Sequence, residues 1–145
     1  MSIFGKTRIE PVPYEHDRKS GRFVIPGATI SLKKGAGGHG KDELAIERSP
    51  VIDISKGGVA FLTNEIPKLG RVTLLLTYAE DEAPLRLMGT IVYFVSRGAG
   101  LRYRYRVGAE FAPFSTTKGH NSFESLVKLE GLGKAYGEKD PQPSP

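Results

Sequence analysis

LRYRYRVGAEF, residues 101–111, alternates along its whole length. Leu101, Tyr103, Tyr105, Val107, Ala109 and Phe111 fall on one side of an extended chain, and Arg102, Arg104, Arg106 and Glu110 on the other. Apolar and polar residues in period two are the pattern of a strand with one face in a core and one toward solvent. Similar runs precede it. RFVIPGATISL (22–32) predicts a first strand with an irregularity at Pro26-Gly27, and ELAIERSPVIDIS (43–55) a second, interrupted at Pro50. VAFLT (59–63), RVTLLLTY (71–78) and LRLMGTIVYFV (85–95) follow, with Val72, Leu74, Leu76 and Tyr78 sharing one face. No helical segments separate the strands, so a parallel α/β sheet is disfavoured. Six strands with short connections predict a mainly β fold, an antiparallel barrel or sandwich.

One helix is expected, in NSFESLVKLEGLG (121–133). Asn121 followed by Glu124 makes a capping-box-like start, Phe123, Leu126, Val127 and Leu129 an apolar stripe, and Gly131 an end. That stripe is expected to pack on an open end of the barrel. GEKDPQPSP (137–145) is polar and proline-rich and is expected to be disordered.

At 145 residues the chain is one domain's worth. Hydrophobic residues at 39% and charged residues at 26% fit a globular fold rather than wholesale disorder. With no cysteine, disulfides and thiolate metal sites are excluded. No apolar run approaches the ~20 residues that span a bilayer, and the N-terminus lacks a signal-like apolar stretch. The expectation is therefore a cytoplasmic protein without membrane insertion. A net charge of +5 favours anionic partners: nucleotides, nucleic acid or a membrane surface.

GAGGHGKD (35–42) matches only the GxxxxGK half of a phosphate-binding loop. Asp42 stands where that chemistry needs Ser or Thr for magnesium, so the segment reads as a hairpin loop. His16, His39 and His120 are scattered without metal-ligand spacing, and Glu80, Asp81 and Glu82 read as a solvated turn. No catalytic constellation emerges, and no metal site or cofactor is expected. The arginines 102, 104 and 106 beside tyrosines would suit a single-strand-binding barrel, although such a face is more often a solvated sheet surface. Direct nucleic-acid binding is therefore the disfavoured reading.

Two short patterns remain. Arg18 and Arg22 form an RxxxR in DRKSGRF (17–23), common enough by chance to mean little alone. Asp53, Ser55 and Gly58 form DxSxxG in DISKGG (53–58), expected roughly 0.04 times at this composition. Arginines just before the first strand, with DxSxxG at the turn from the second strand into the third, resemble the PilZ domain, a bacterial receptor for cyclic di-GMP. GTIVYF (89–94) and YRVGAEF (105–111) look like later strands of that family. The resemblance covers about residues 14–114. It implies a six-stranded antiparallel PilZ-type β-barrel with a C-terminal α-helix and no enzymatic activity. The corresponding boundaries are an N-terminal extension 1–13 and a PilZ domain 14–133, with arm 14–22, barrel 22–114 and helix about 121–131. A disordered tail, 134–145, would follow.

The resemblance also implies cyclic di-GMP as ligand, held by Arg18, Arg22, Asp53, Ser55 and Gly58, with Lys19, Gly57, Tyr93 and Tyr103 as additional contacts. The chemistry agrees. An arginine fork donates two bonds to guanine O6 and N7, or pairs with phosphate. Asp53 would accept from guanine N–H donors, Ser55 would serve a phosphate or base, and Gly58, helped by Gly57, would let the ligand approach the main chain. With no tryptophan in the chain, Tyr93 or Tyr103 would be the ring that stacks on a base. The function implied is a stand-alone receptor that relays the nucleotide to a downstream protein by ordering of its arm. Motility, biofilm exopolysaccharide and virulence are the outputs in view. The alternatives are a PilZ-like protein-interaction module that does not use nucleotide, and a nucleic-acid-binding barrel. Asp17 beside Arg18 leaves ligand stoichiometry open.

Overall fold

The computed structural model describes residues 21–33 and 44–137. The extension 1–13, the arm with Arg18 and Lys19, the glycine-rich loop 35–42 and residues 138–145 lie outside the described residues. Six strands are described: β1 Thr29–Lys33, β2 Leu44–Ile54, β3 Gly58–Thr63, β4 Gly70–Thr77, β5 Leu85–Ser96 and β6 Tyr105–Phe111. They close into an antiparallel barrel of order β1-β2-β3-β6-β5-β4, in which β4 returns to β1. Among the described residues one helix, α1, spans Phe123–Gly137.

Closure follows from alternation. Ile30 and Leu32 on β1, Phe61 on β3, Leu74 and Leu76 on β4, Leu87 and Ile91 on β5 and Val107 on β6 are all 2% exposed or less. Leu129 and Leu132 of α1 join this core. Burying such side chains contributes roughly 1.5–3 kcal/mol each, the main drive for collapse.

Several sequence expectations are corrected. Phe23 belongs to no named strand: it makes an isolated antiparallel bridge to Ile54, exchanging two backbone bonds of 2.9 Å. The chain then turns at Pro26-Gly27, where Gly27 has φ 80°, and β1 starts only at Thr29. β2 is not interrupted at Pro50, which pairs with Thr29. Its register shifts against β1 around Arg48, whose φ is 51° and whose N–H donates to the buried Ser31 hydroxyl at 2.9 Å, and again against β3 between Val51 and Asp53.

The strand expected over 101–111 begins at Tyr105. Residues 101–104 instead belong to the β5–β6 loop, because Asn64 captures their backbone. Its amide donates to the Arg102 carbonyl at 3.0 Å, and its oxygen accepts from Arg104 N–H at 2.9 Å. Arg102, Arg104 and Arg106 therefore do not form one strand face, and the nucleic-acid reading loses its geometric basis.

The helix begins two residues later than expected. Ser122 caps it, its Oγ accepting from Ser125 N–H at 3.1 Å. Asn121 is diverted to the barrel, accepting from Met88 N–H and donating to the Met88 and Ala112 carbonyls. Gly131 does not end the helix, which continues to Gly137 and takes residues 134–137 out of the expected tail. Leu129 and Leu132 face the barrel, whereas Phe123 and Val127 of the expected stripe are 53% and 65% exposed. An i, i+3 pair on one side of the helix settles which face is covered.

Candidate functional site

The β2–β3 turn is built from short polar and glycine residues. Ser55 N–H donates to the Gly58 carbonyl at 2.9 Å, and the Ser55 hydroxyl accepts from Gly57 N–H at 3.1 Å. Gly57 in turn accepts from Phe111 N–H at 2.9 Å, which seats the turn against the end of β6. The hydroxyl satisfies the turn and still has its own proton to give.

Phe23 and Ile54 face inward, at 7% and 0% exposure. Their neighbours Arg22 and Asp53 must then face outward, since side chains alternate along extended backbone. There the Arg22 Nη1 and Asp53 Oδ1 form an ion pair at 2.5 Å, each side chain about one-fifth exposed or less.

Beside this pair opens a cavity of about 400 Å³. Arg22, Ser55, Gly57 and Gly58 line one side, and Tyr93, Gly108 and Glu110 are among the residues that line the rest. Close packing explains two of the glycines. A Cβ on Gly58 would be driven into the Ala109 carbonyl oxygen, and one on Gly108 into the Tyr93 ring. Tyr93 reaches this place through a β-bulge. The β5–β6 register shifts between Ile91 and Tyr93, so Ile91 points inward, Val92 and Tyr93 are both exposed, and Phe94 packs against the core.

Of the residues expected to form the site, the structure brings Arg22, Asp53, Ser55, Gly57, Gly58 and Tyr93 to one region. Asp53 is not a cavity wall: it stands behind Arg22 and holds that guanidinium. Tyr103 is elsewhere, in the β5–β6 loop, with the Arg102 guanidinium 5.4 Å from its ring centroid. Arg18 and Lys19 fall outside the described residues. Val92, Gly108 and Glu110 were not anticipated as lining residues. Gly108, a glycine inside a strand, was the one legible signal of close approach; the bulge that exposes Val92 leaves no mark in the sequence.

Among the described residues, no cluster of three or more His, Asp or Glu is arranged to hold a metal. None of their helices is long and apolar enough to cross a membrane. His120 bonds the Ser115 hydroxyl at 2.7 Å in the loop before α1.

The family model for the PilZ domain matches residues 16–128. Among solved structures, the chain is similar to the PilZ domain with c-di-GMP of YcgR from Escherichia coli. The TM-score is 0.58 at 14% sequence identity, over 81% of this chain and 89% of that one. At that identity the likeness concerns the barrel and its helix. No curated protein matches the sequence.

Proposed function

The chain belongs to the PilZ domain family, and from that premise we propose that it is a cyclic di-GMP receptor, with the cavity beside Arg22 as its binding site. The reading rests on one observation: Arg22, Ser55, Gly57 and Gly58 border the same cavity, with Asp53 paired directly to Arg22. Its volume of about 400 Å³ lies within the range that holds small ligands. The similar structure of the YcgR PilZ domain is one with c-di-GMP.

Each residue has a chemical task in this reading. The Arg22 guanidinium donates to a guanine edge or to phosphate oxygens. Arg18, one RxxxR spacing earlier, supplies the second guanidinium, with Lys19 adding charge. Asp53 holds Arg22 in the free state and accepts from guanine N–H donors when the arginine turns to the ligand. Ser55 donates its proton to a phosphate or base oxygen. Gly57 leaves the backbone open to close approach, Gly58 lets the turn lie tight against β6 beside it, and the exposed Tyr93 ring stacks on a base. Adenine in place of guanine would leave Asp53 facing no donor and the arginines facing an amino group. Engagement of the arm 14–22 changes the surface around the cavity, and a downstream protein reads that change in the cytoplasm.

Calorimetry with cyclic di-GMP and cyclic di-AMP tests the proposal. Binding of the guanine dinucleotide alone, lost in Arg22→Ala, is expected. No heat with cyclic di-GMP, or the same heat from Arg22→Ala as from the parent, would refute it.

A further inference from the structure

β1, β3 and β5 run toward one end of the barrel, and β2, β4 and β6 run back from it. The β3–β4 loop (64–69) and the β5–β6 loop (97–104) therefore lie together at that end. The β2–β3 turn and the β4–β5 loop (78–84) lie at the other.

The two loops are tied into one platform. Asn64 clasps Arg102 and Arg104 across the gap, as described above. Arg97 N–H donates to the Arg104 carbonyl at 2.7 Å, and its guanidinium to the Tyr103 carbonyl at 2.7 Å. A platform already held by its own bonds loses little freedom when it binds something.

Its chemistry is uneven in two respects. Ile66, Leu69 and Leu101 are 61%, 61% and 48% exposed, large aliphatic side chains left in water. Lys68, Arg97, Arg102 and Arg104 are exposed among them, against a single carboxylate, Glu65. The opposite loop carries Glu80, Asp81 and Glu82 with no base, and no acidic residue occurs between Glu82 and Glu110. The loops thus differ in charge: 64–69 and 97–104 are basic and aliphatic, whereas 78–84 is acidic, at an end that also carries Arg22 and Lys56.

We propose that the 64–69 and 97–104 loops dock the protein peripherally on an anionic phospholipid surface. Guanidinium groups pair with lipid phosphates, while Ile66, Leu69 and Leu101 enter the headgroup–acyl boundary. The acidic loop points away from the bilayer, so charge orients the molecule as well as holding it. A nucleic acid fits less well: stacking needs open aromatic faces, and the Tyr103 face is covered by Arg102. Gly108, in the cavity wall, lies about 14 Å along β6 from Arg104, so docking by this end leaves the cavity open to solution. The inference does not depend on the nucleotide reading.

The test uses the full chain with vesicles of equal parts phosphatidylglycerol and phosphatidylcholine, and with phosphatidylcholine alone. Co-sedimentation with the anionic vesicles only, weakened by salt, is expected. Each arginine is worth about fivefold in partitioning. The triple variant Arg97→Gln, Arg102→Gln, Arg104→Gln should therefore bind about a hundredfold more weakly. The double variant at Arg102 and Arg104 keeps Arg97 on Tyr103 and should lose roughly 25-fold. Removing the same charge through Lys118→Gln, Lys128→Gln and Lys134→Gln should have little effect. Because the chain has no tryptophan, Leu101→Trp is a sole reporter whose emission should shift to the blue on the vesicles; Glu82→Trp should not shift.

Four outcomes would overturn the proposal. The first is no sedimentation at low salt. The second is equal weakening by the lysine set. The third is a single-stranded oligonucleotide shift abolished by the arginine variants without vesicle binding. The fourth is a dimer, independent of lipid, that Leu101→Asp dissolves.

Discussion

Arg22 and Asp53 are 31 residues apart in the chain, yet their side chains meet at 2.5 Å. The Phe23–Ile54 bridge places them: two inward side chains fix two outward neighbours as a diagonal pair across antiparallel backbone. A guanidinium already near its working position needs less ordering when a ligand arrives.

Asp53→Asn keeps the shape and removes the charge. Since the pair is partly exposed, stability should fall by only about 1 kcal/mol. Cyclic di-GMP affinity should fall at least roughly tenfold, because Arg22 loses its anchor and guanine its acceptor. Calorimetry and thermal melts on the same sample separate the two effects; a large loss of stability with unchanged affinity would contradict the role given to Asp53.

Gly58→Ala and Gly108→Ala should behave differently. At Gly58 the new methyl meets the Ala109 carbonyl, part of the β6 backbone, so the barrel must shift and stability should drop by about 1–3 kcal/mol. At Gly108 it meets the Tyr93 ring, a surface side chain that can swing aside. Stability should change by less than about 1 kcal/mol while nucleotide affinity falls. Thermal melts and titrations of both variants check the contrast.

Arg48→Gly should stabilise the protein. A non-glycine residue at φ 51° carries roughly 1–2 kcal/mol of backbone strain, while the bond to Ser31 uses only its N–H. Glycine's greater freedom in the unfolded chain offsets part of that, leaving a gain of about 0.5–1 kcal/mol. Urea midpoints measure it, and nucleotide binding should be unaffected.

Asn121→Ala should destabilise by about 2–3 kcal/mol. The side chain is 4% exposed and makes three bonds, to Met88 N–H and to the Met88 and Ala112 carbonyls. Its loss takes that partner from Met88 N–H and the Ala112 carbonyl, while the Met88 carbonyl keeps Ala112 N–H at 2.9 Å. Asn121→Asp should be worse still, as a carboxylate would face two carbonyl oxygens. Chemical denaturation of the three proteins ranks them.

The strands were legible wherever one face is buried, because period two records burial directly. The failures share a cause. Residues 101–104 alternate as well as 105–111, but Asn64, some 40 residues away in sequence, takes their backbone for a loop. Asn121 reads as a helix cap, yet the barrel offers it three partners and Ser122 takes the cap. Gly131 reads as a stop, but Leu132 beyond it finds the core. Local pattern indicates what a residue can do; a partner distant in sequence decides what it does. The cavity follows the same division. DxSxxG could be read from the chain, whereas Glu110 and the turned-out Val92 depend on how β5 and β6 pair.

Phe23 rests its ring against Gly133 and its Cβ against Gly137, where any added methyl would press upon it. The last turns of α1 are therefore a saddle for the residue next to Arg22. Trimming the chain ahead of Gly133 would unseat Phe23 and let the guanidinium wander, so ligand grip should depend on helical length as well as on the cavity's own lining.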